Sequence, residues 1–193
     1  CPAEVFATPS QVNYVGKGCN LYALGWKFSG AAQVILRYLR MGYLWDSVRV
    51  KGGAYGVSCR LGRSTGNFVC TSYRDPNVSG TISAYDGIAD YLSGMSLNRE
   101  ELERAIVGAI GDLDLYMLPD ARGVKSLYQY LAGDTEEKRQ RMREEMLSTT
   151  ADDFRAFAGI MAEAKTHGAV SVIGGSRALE EGTRLGWKCE NLF

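Results

Sequence analysis

Between Asp75 and His167 the sequence is written almost entirely in helical period, while β-branched and aromatic alternation is confined to the stretches before and after that block. Strands and helices segregated in this way argue for an α+β fold, a mixed, mainly antiparallel sheet with helices packed on one face. A chain of 193 residues is long enough for one domain with a substantial core.

The elements are delimited by their caps. The stretch from Glu4 to Gly18 reads as one long strand, bulged near Pro9, with Val5, Phe6, Val12, Tyr14 and Val15 as its strand formers. Ser29 is expected to cap a helix from Gly30 to Asp46 carrying Val34, Ile35, Tyr38, Leu39 and Leu44. Tyr55–Leu61 and Asn67–Arg74 read as strands joined through Gly62–Gly66 as a hairpin. Asp75-Pro76 has the form of an N-cap followed by proline at the first helical position, opening a helix with Ile82, Tyr85, Ile88, Ala89 and Leu92 inward and Gly94 as its stop. Asn98 with Glu101 forms a capping pair for Leu102, Ala105, Ile106, Ala109, Ile110 and Leu113. A short helix from Ala121 to Leu131 follows Pro119. Thr135 opens a charged helix whose apolar edge is Met142, Met146 and Leu147. Thr150 with Asp153 opens a last long helix to His167, stopped by Gly168. Ala169–Ile173 is a buried-strand pattern, and Ser176–Gly186 a final short helix.

Composition narrows the function. Lys plus Arg and Asp plus Glu both number 22, which supplies no electrostatic case for nucleic acid or an anionic membrane. No apolar run is long enough to span a bilayer. The five cysteines never fall at CxxC spacing, which disfavours a disulfide framework and a zinc ribbon; Cys59 and Cys70 read as small buried hydrophobes. The single histidine, His167, is placed to complement the last carbonyls of its helix and has no ligand partner nearby in sequence. The acidic residues Asp112, Asp114 and Asp120 read as capping and solvating groups around Pro119 in preference to a metal site.

One stretch stands apart: Arg49-Val50-Lys51-Gly52-Gly53-Ala54-Tyr55-Gly56. A phosphate loop does not fit, because neither a Walker pattern nor GxGxxG is present and a strand follows instead of a helix. Two readings remain. In one, Gly52 and Gly53 turn the chain, Gly56 relieves crowding against a helix, and Tyr55 packs in the core with Val57 and Cys59. In the other, Arg49 and Tyr55 present a guanidinium and a phenol to peptide oxygens, and the glycines leave room for substrate backbone. Spacing alone leaves both open.

Several longer runs resemble one known family in its own order: VNYVGKG at 12–18, LWDSVRVKGGAYG at 44–56, SYRDP at 72–76, AIVGAIGDLDLYMLPDARG at 105–123 and TEEKRQRMREEMLSTTADDF at 135–154. Together they are similar to the C-terminal region of presequence proteases, long-chain members of the pitrilysin-type (inverzincin) zinc metallopeptidases. The resemblance implies four homologous α+β domains in one chain around a closed chamber, with an HxxEH zinc motif in the first domain. It implies that the last domain contributes an arginine and a tyrosine to bound peptide, matching Arg49 and Tyr55, with Gly52 and Gly53 shaping the corner.

No HxxEH is present here, so zinc is expected in the full-length enzyme and none on this chain. The sequence, which begins at Cys1, is read as the C-terminal part of a larger chain, lacking the first strand and helix of its domain. The expected partners are a peptide substrate and the N-terminal domains of the same protein, without nucleic acid or membrane. The expected setting is a bacterial cytoplasm or an organelle lumen. A non-catalytic scaffold of the same fold is the alternative implied by inactive members of the superfamily.

Overall fold

Alternation along the strands decides which side of the sheet the helices cover. In the computed structural model, which describes residues 2–192, six strands lie in the order β3-β4-β2-β5-β1-β6. These are β1 (Ala3–Ala7), β2 (Asn13–Asn20), β3 (Gly56–Leu61), β4 (Asn67–Asp75), β5 (Ala169–Gly174) and β6 (Lys188–Asn191). Phe68, Cys70 and Ser72 of β4 and Val170 and Val172 of β5 are buried, while Val69, Thr71, Tyr73, Ser171 and Ile173 between them are exposed. Period-2 patterning of this kind belongs to a sheet with one covered and one open face. The β2–β4, β2–β5 and β3–β4 pairs are antiparallel, and β1 pairs in parallel with β5 and β6. The mixed, mainly antiparallel α+β sheet is the one expected.

The helices are α1 (Ala31–Met41), α2 (Ser79–Asp86), α3 (Ile88–Gly94), α4 (Arg99–Leu113), α5 (Pro119–Leu131), α6 (Glu136–Leu147), α7 (Ala151–His167) and α8 (Ser176–Arg184). The core forms where α1, α3 and α7 meet the covered face. Val34, Ile35, Leu39, Ile88, Leu92, Phe154, Val15 and Val172 are all essentially inaccessible there. Phe154 packs edge-on against Tyr38 with centroids 5.5 Å apart, which fixes α7 against α1.

The capping signals held where side chain and backbone were adjacent in sequence. Asn98 accepts from Glu101 N–H at 2.9 Å and Glu101 returns the bond to Asn98 N–H at 3.1 Å. At the start of α7 the Asp153 carboxylate accepts from both Thr150 N–H, at 2.7 Å, and the Thr150 hydroxyl, at 2.8 Å. Asn98→Ala is expected to cost about 1 kcal/mol. That corresponds to a fall in Tm of about 2–4 °C in a domain of this size, measurable by thermal unfolding.

Four expectations are corrected. The stretch 4–18 is two strands, not one bulged strand. The Thr8–Val12 segment turns out of the sheet, with Thr8 N–H bonded to Gly174 O at 2.7 Å, and β5 lies between β1 and β2. The helix expected over Gly30–Asp46 ends at Met41 and re-forms as a π-helical turn, Trp45–Val50, in which Lys51 N–H reaches Asp46 O at 2.9 Å. Ser29 still accepts from Ala31 N–H, at 3.3 Å. Asp75-Pro76 does not start a helix directly. Asp75 ends β4 and accepts from Asn77 N–H and from the Thr81 hydroxyl, so its carboxylate ties the strand end to α2 instead of capping it. That helical segment is also split at Gly87, where a Cβ would lie 2.3 Å from the Tyr43 hydroxyl oxygen. Strand β6 is an addition to the expected elements; its exposed residues carry no alternation that would mark it.

Candidate functional site

The glycine-rich stretch forms a tight corner between α1 and β3. Gly53 N–H bonds to Arg49 O at 2.9 Å and Ala54 N–H to Val48 O at 3.1 Å, so the π-helical turn closes back on itself. A Cβ at Gly52 would fall 2.5 Å from the Val48 carbonyl oxygen, and Gly53 has φ +79°. Both glycines therefore answer to backbone geometry. Asn77 clamps the corner from α2's leading loop, its Nδ2 donating to Gly52 O at 2.5 Å. Val48 and Ala54 point into the core and anchor it.

Arg49 and Tyr55 are brought together at this corner. The Arg49 guanidinium lies 4.5 Å from the Trp45 ring centroid and 5.5 Å from that of Tyr55, and it donates a hydrogen bond to the Tyr55 carbonyl oxygen. Stacking on two rings restricts the long side chain before any ligand arrives. Tyr55 is 62% exposed, which corrects the core-packing reading. The strand alternation starts only at Gly56, and Ala54 is the residue turned inward. The role expected for Gly56 also fails: a Cβ there would meet only the Tyr73 ring at 4.0 Å, on the open face and away from any helix.

Sequence reasoning missed the rest of the constellation. Tyr73 stacks edge-on with Tyr55 (5.5 Å) and with Tyr14 (5.6 Å), and Arg74 stands over both the Tyr55 ring (6.0 Å) and the Tyr73 ring (5.6 Å). SYRDP held the signal, since strand alternation alone sends Tyr73 to the open face.

The other candidates resolve as structural groups. His167 Nδ1 is 2.9 Å from Glu163 O, at the helix end as expected. Asp112 pairs with Arg37 and Arg40, and Asp114 takes a two-pronged bond from Arg143 at 2.5 and 2.9 Å, which lowers its carboxyl pKa. Cys59 and Cys70 are buried opposite one another on β3 and β4; burial pushes the Cys59 thiol up to about 12. Among the described residues no three His, Cys, Asp or Glu side chains converge in a way that could hold a metal ion, so the donors present here do not fit a zinc site. A cleft of about 610 Å³ lies elsewhere, lined by Phe28, Arg63, Tyr128 and Met142. Three of its charged groups are already engaged: Arg63 with Asp134, and Glu145 with Gly30 N–H at 2.6 Å. The Arg49–Tyr55 corner therefore remains the better candidate. No helix of the described residues is long and apolar enough to cross a membrane.

The comparisons with known proteins agree with this architecture. Residues 3–176 match the family model of the PreP C-terminal domain. The chain is 49% identical over 155 residues to presequence protease 1, chloroplastic/mitochondrial, of Arabidopsis thaliana, covering 80% of this chain and 14% of that protein. It is 34% identical over 182 residues to protein HypA of Clostridium perfringens, covering 94% and 19%. It thus spans less than a fifth of the length of either relative. Among solved structures, a peptidase M16 inactive domain from Pseudomonas fluorescens superposes with a TM-score of 0.65 at 17% identity, covering 91% of this chain and 43% of that one. Pitrilysin does so with a TM-score of 0.65 at 9% identity, covering 98% and 22%. The sheet order, the helical layer and the matched residues converge on one assignment, with a fold that pitrilysin shares: the chain belongs to the PreP C-terminal domain family.

Proposed function

We propose that this chain is the substrate-binding, chamber-forming C-terminal part of a zinc-dependent oligopeptidase that degrades unstructured peptides. The zinc ligands and the proton-transferring base lie on an N-terminal domain of the same protein. The observation that carries the reading is the pairing of an exposed phenol and a pre-stacked guanidinium on a corner whose backbone is closed by its own hydrogen bonds. Attack on a peptide carbonyl develops negative charge on its oxygen, and fixed donors aimed at that charge lower the barrier. Tyr55 Oη is the donor here. Arg49 holds a neighbouring carbonyl of the peptide in register. Gly52 and Gly53 carry no side chain that would block the peptide backbone.

A second observation supports other domains of the same protein as partners. Val124, Leu127 and Leu131 form an i, i+3, i+7 stripe on α5 and are all exposed, with Tyr128 beside them at the cleft formed with α6. The polar residues Arg122, Lys125, Ser126 and Gln129 instead face a cavity shared with α6. A helix with its apolar side outward needs a covering surface. The same reading puts the protein in a bacterial cytoplasm or an organelle lumen.

The alternative is a scaffold of the same fold, favoured by the likeness to solved domains described as inactive peptidase domains. Reconstitution separates the two. Mixed with a zinc-motif-bearing N-terminal portion of a presequence protease, this chain is expected to restore cleavage of an unstructured peptide, and Arg49→Ala or Tyr55→Phe is expected to abolish the gain. Assembly with cleavage insensitive to both substitutions identifies the scaffold. Failure to assemble removes the proposed partnership.

A further inference from the structure

Arg74 is the only described non-glycine residue with positive φ, at +48°. A side-chain-bearing residue is disfavoured there and persists only where its surroundings over-determine it. The surroundings do so. Asn13 pairs with Asp75 and Val15 with Ser72, so Tyr73 and Arg74 of β4 together oppose the single residue Tyr14 of β2. This is a bulge, the device by which a strand re-aims one side chain. Its effect appears in the accessibility along β4: Ser72 is buried, Tyr73 and Arg74 are both exposed, and Asp75 is buried. Regular alternation would have sent Arg74 to the covered face. Asp75 holds the far side of the bulge, its carbonyl accepting from Asn13 Nδ2 at 3.0 Å and its carboxylate from Thr81 and Asn77.

The re-aimed guanidinium stands 6.0 Å from the Tyr55 ring centroid, and Arg49 stands 5.5 Å from the same ring. Among the described residues neither arginine belongs to an ion pair; Arg60, Arg122, Arg139, Arg141, Arg177 and Arg184 share that, and what sets Arg49 and Arg74 apart is that both lie beside one exposed ring. Two cations held beside one ring without a carboxylate repel each other, and an arriving anion relieves that repulsion. A neutral carbonyl leaves both positive charges uncompensated, whereas a carboxylate offers two oxygens and a negative charge that both guanidiniums can share.

Building on the peptide-binding role of the corner proposed above, we infer that Arg74 is a further peptide-binding residue, and that it and Arg49 together receive a carboxylate of the bound peptide. Tyr14 and Tyr73 form the aromatic floor beneath it. An acidic side chain and a free C-terminus offer the same group, and the probes distinguish them.

The test uses the 193-residue chain and NMR titration with one unstructured peptide in four forms: glutamate or glutamine at an internal position, each with a free or an amidated C-terminus. The wild-type chain is expected to prefer the forms bearing the relevant carboxylate. Arg74→Gly is expected to reduce that preference by about ten-fold, the scale of a lost charge-assisted hydrogen bond. Glycine suits φ +48°, so this variant deletes the guanidinium without straining the bulge. Arg74→Lys, which keeps the charge but not the fork, is expected to retain part of the preference. A glutamate-dependent preference identifies a side-chain carboxylate, and an amidation-dependent one the C-terminus. Equal affinity for all four peptides, a preference untouched by Arg74→Gly, or no peptide binding at all overturns the inference. The reading on which it rests is judged separately, by the dependence of reconstituted cleavage on Arg49 and Tyr55.

Discussion

Tyr55→Phe is expected to lower kcat of the full-length protein by about 10²–10³-fold, the usual consequence of removing one oxyanion donor, worth about 2.7–4 kcal/mol of barrier. The ring stays in place in this variant. Its contacts with Arg49, Arg74 and Tyr73 are made by the aromatic face and edge, which phenylalanine keeps. Tm is therefore expected to move little, and KM should change far less than kcat, because the hydroxyl is assigned to charge that exists only as the reaction proceeds. Steady-state kinetics on a single peptide, with thermal unfolding of the same samples, makes the measurement. An equal loss in kcat and in affinity would make Tyr55 a ground-state contact, and unchanged kinetics would remove it from the chemistry.

Gly52→Ala is expected to affect stability and site together. The added methyl would sit 2.5 Å from the Val48 carbonyl oxygen, a backbone atom that cannot rotate away. Val48 is buried and its carbonyl also accepts from Ala54 N–H, so either that bond or the packing beneath it must give. Overpacking of this kind costs about 1–3 kcal/mol. The expected fall in Tm is about 2–4 °C for each kcal/mol. The displacement falls on the turn that carries Arg49, three residues before Gly52, and the strand entrance that carries Tyr55, three residues after it. A shift of about 1 Å in such groups is enough to cost on the order of 100-fold in rate. Unfolding midpoints and kcat/KM measured on one preparation would show both losses. A variant of wild-type stability would mean that the turn relaxes at no cost, and that the glycine is held there by substrate alone.

What could be read from the chain follows the range of the interactions involved. The caps of α4 and α7 join residues three apart, Asn98 to Glu101 and Thr150 to Asp153, and both were legible. So was the β3–β4 hairpin around Gly62–Gly66, where Gly66 takes φ +73°. The stretch 4–18 was misread because its separation into two strands depends on β5, more than 150 residues away, which lies between them. The start of α2 was misread because the Asp75 carboxylate serves the strand-to-helix connection, a choice that its sequence neighbours do not announce.

The site divides in the same way. Local sequence supplied Arg49, Tyr55 and the glycines that turn the chain between them. Whether Tyr55 faced the core or the solvent could not be settled from its parity with Val57 and Cys59, because parity has meaning only once the strand has begun, and the strand begins at Gly56. Trp45, Tyr14, Tyr73 and Arg74 joined the corner only through the π-helical turn and the β2–β4 bulge. Period and capping are short-range and follow from the order of residues. Strand order, register shifts and the placing of two guanidiniums beside one phenol depend on which distant segments pair, and only the tertiary structure decided them.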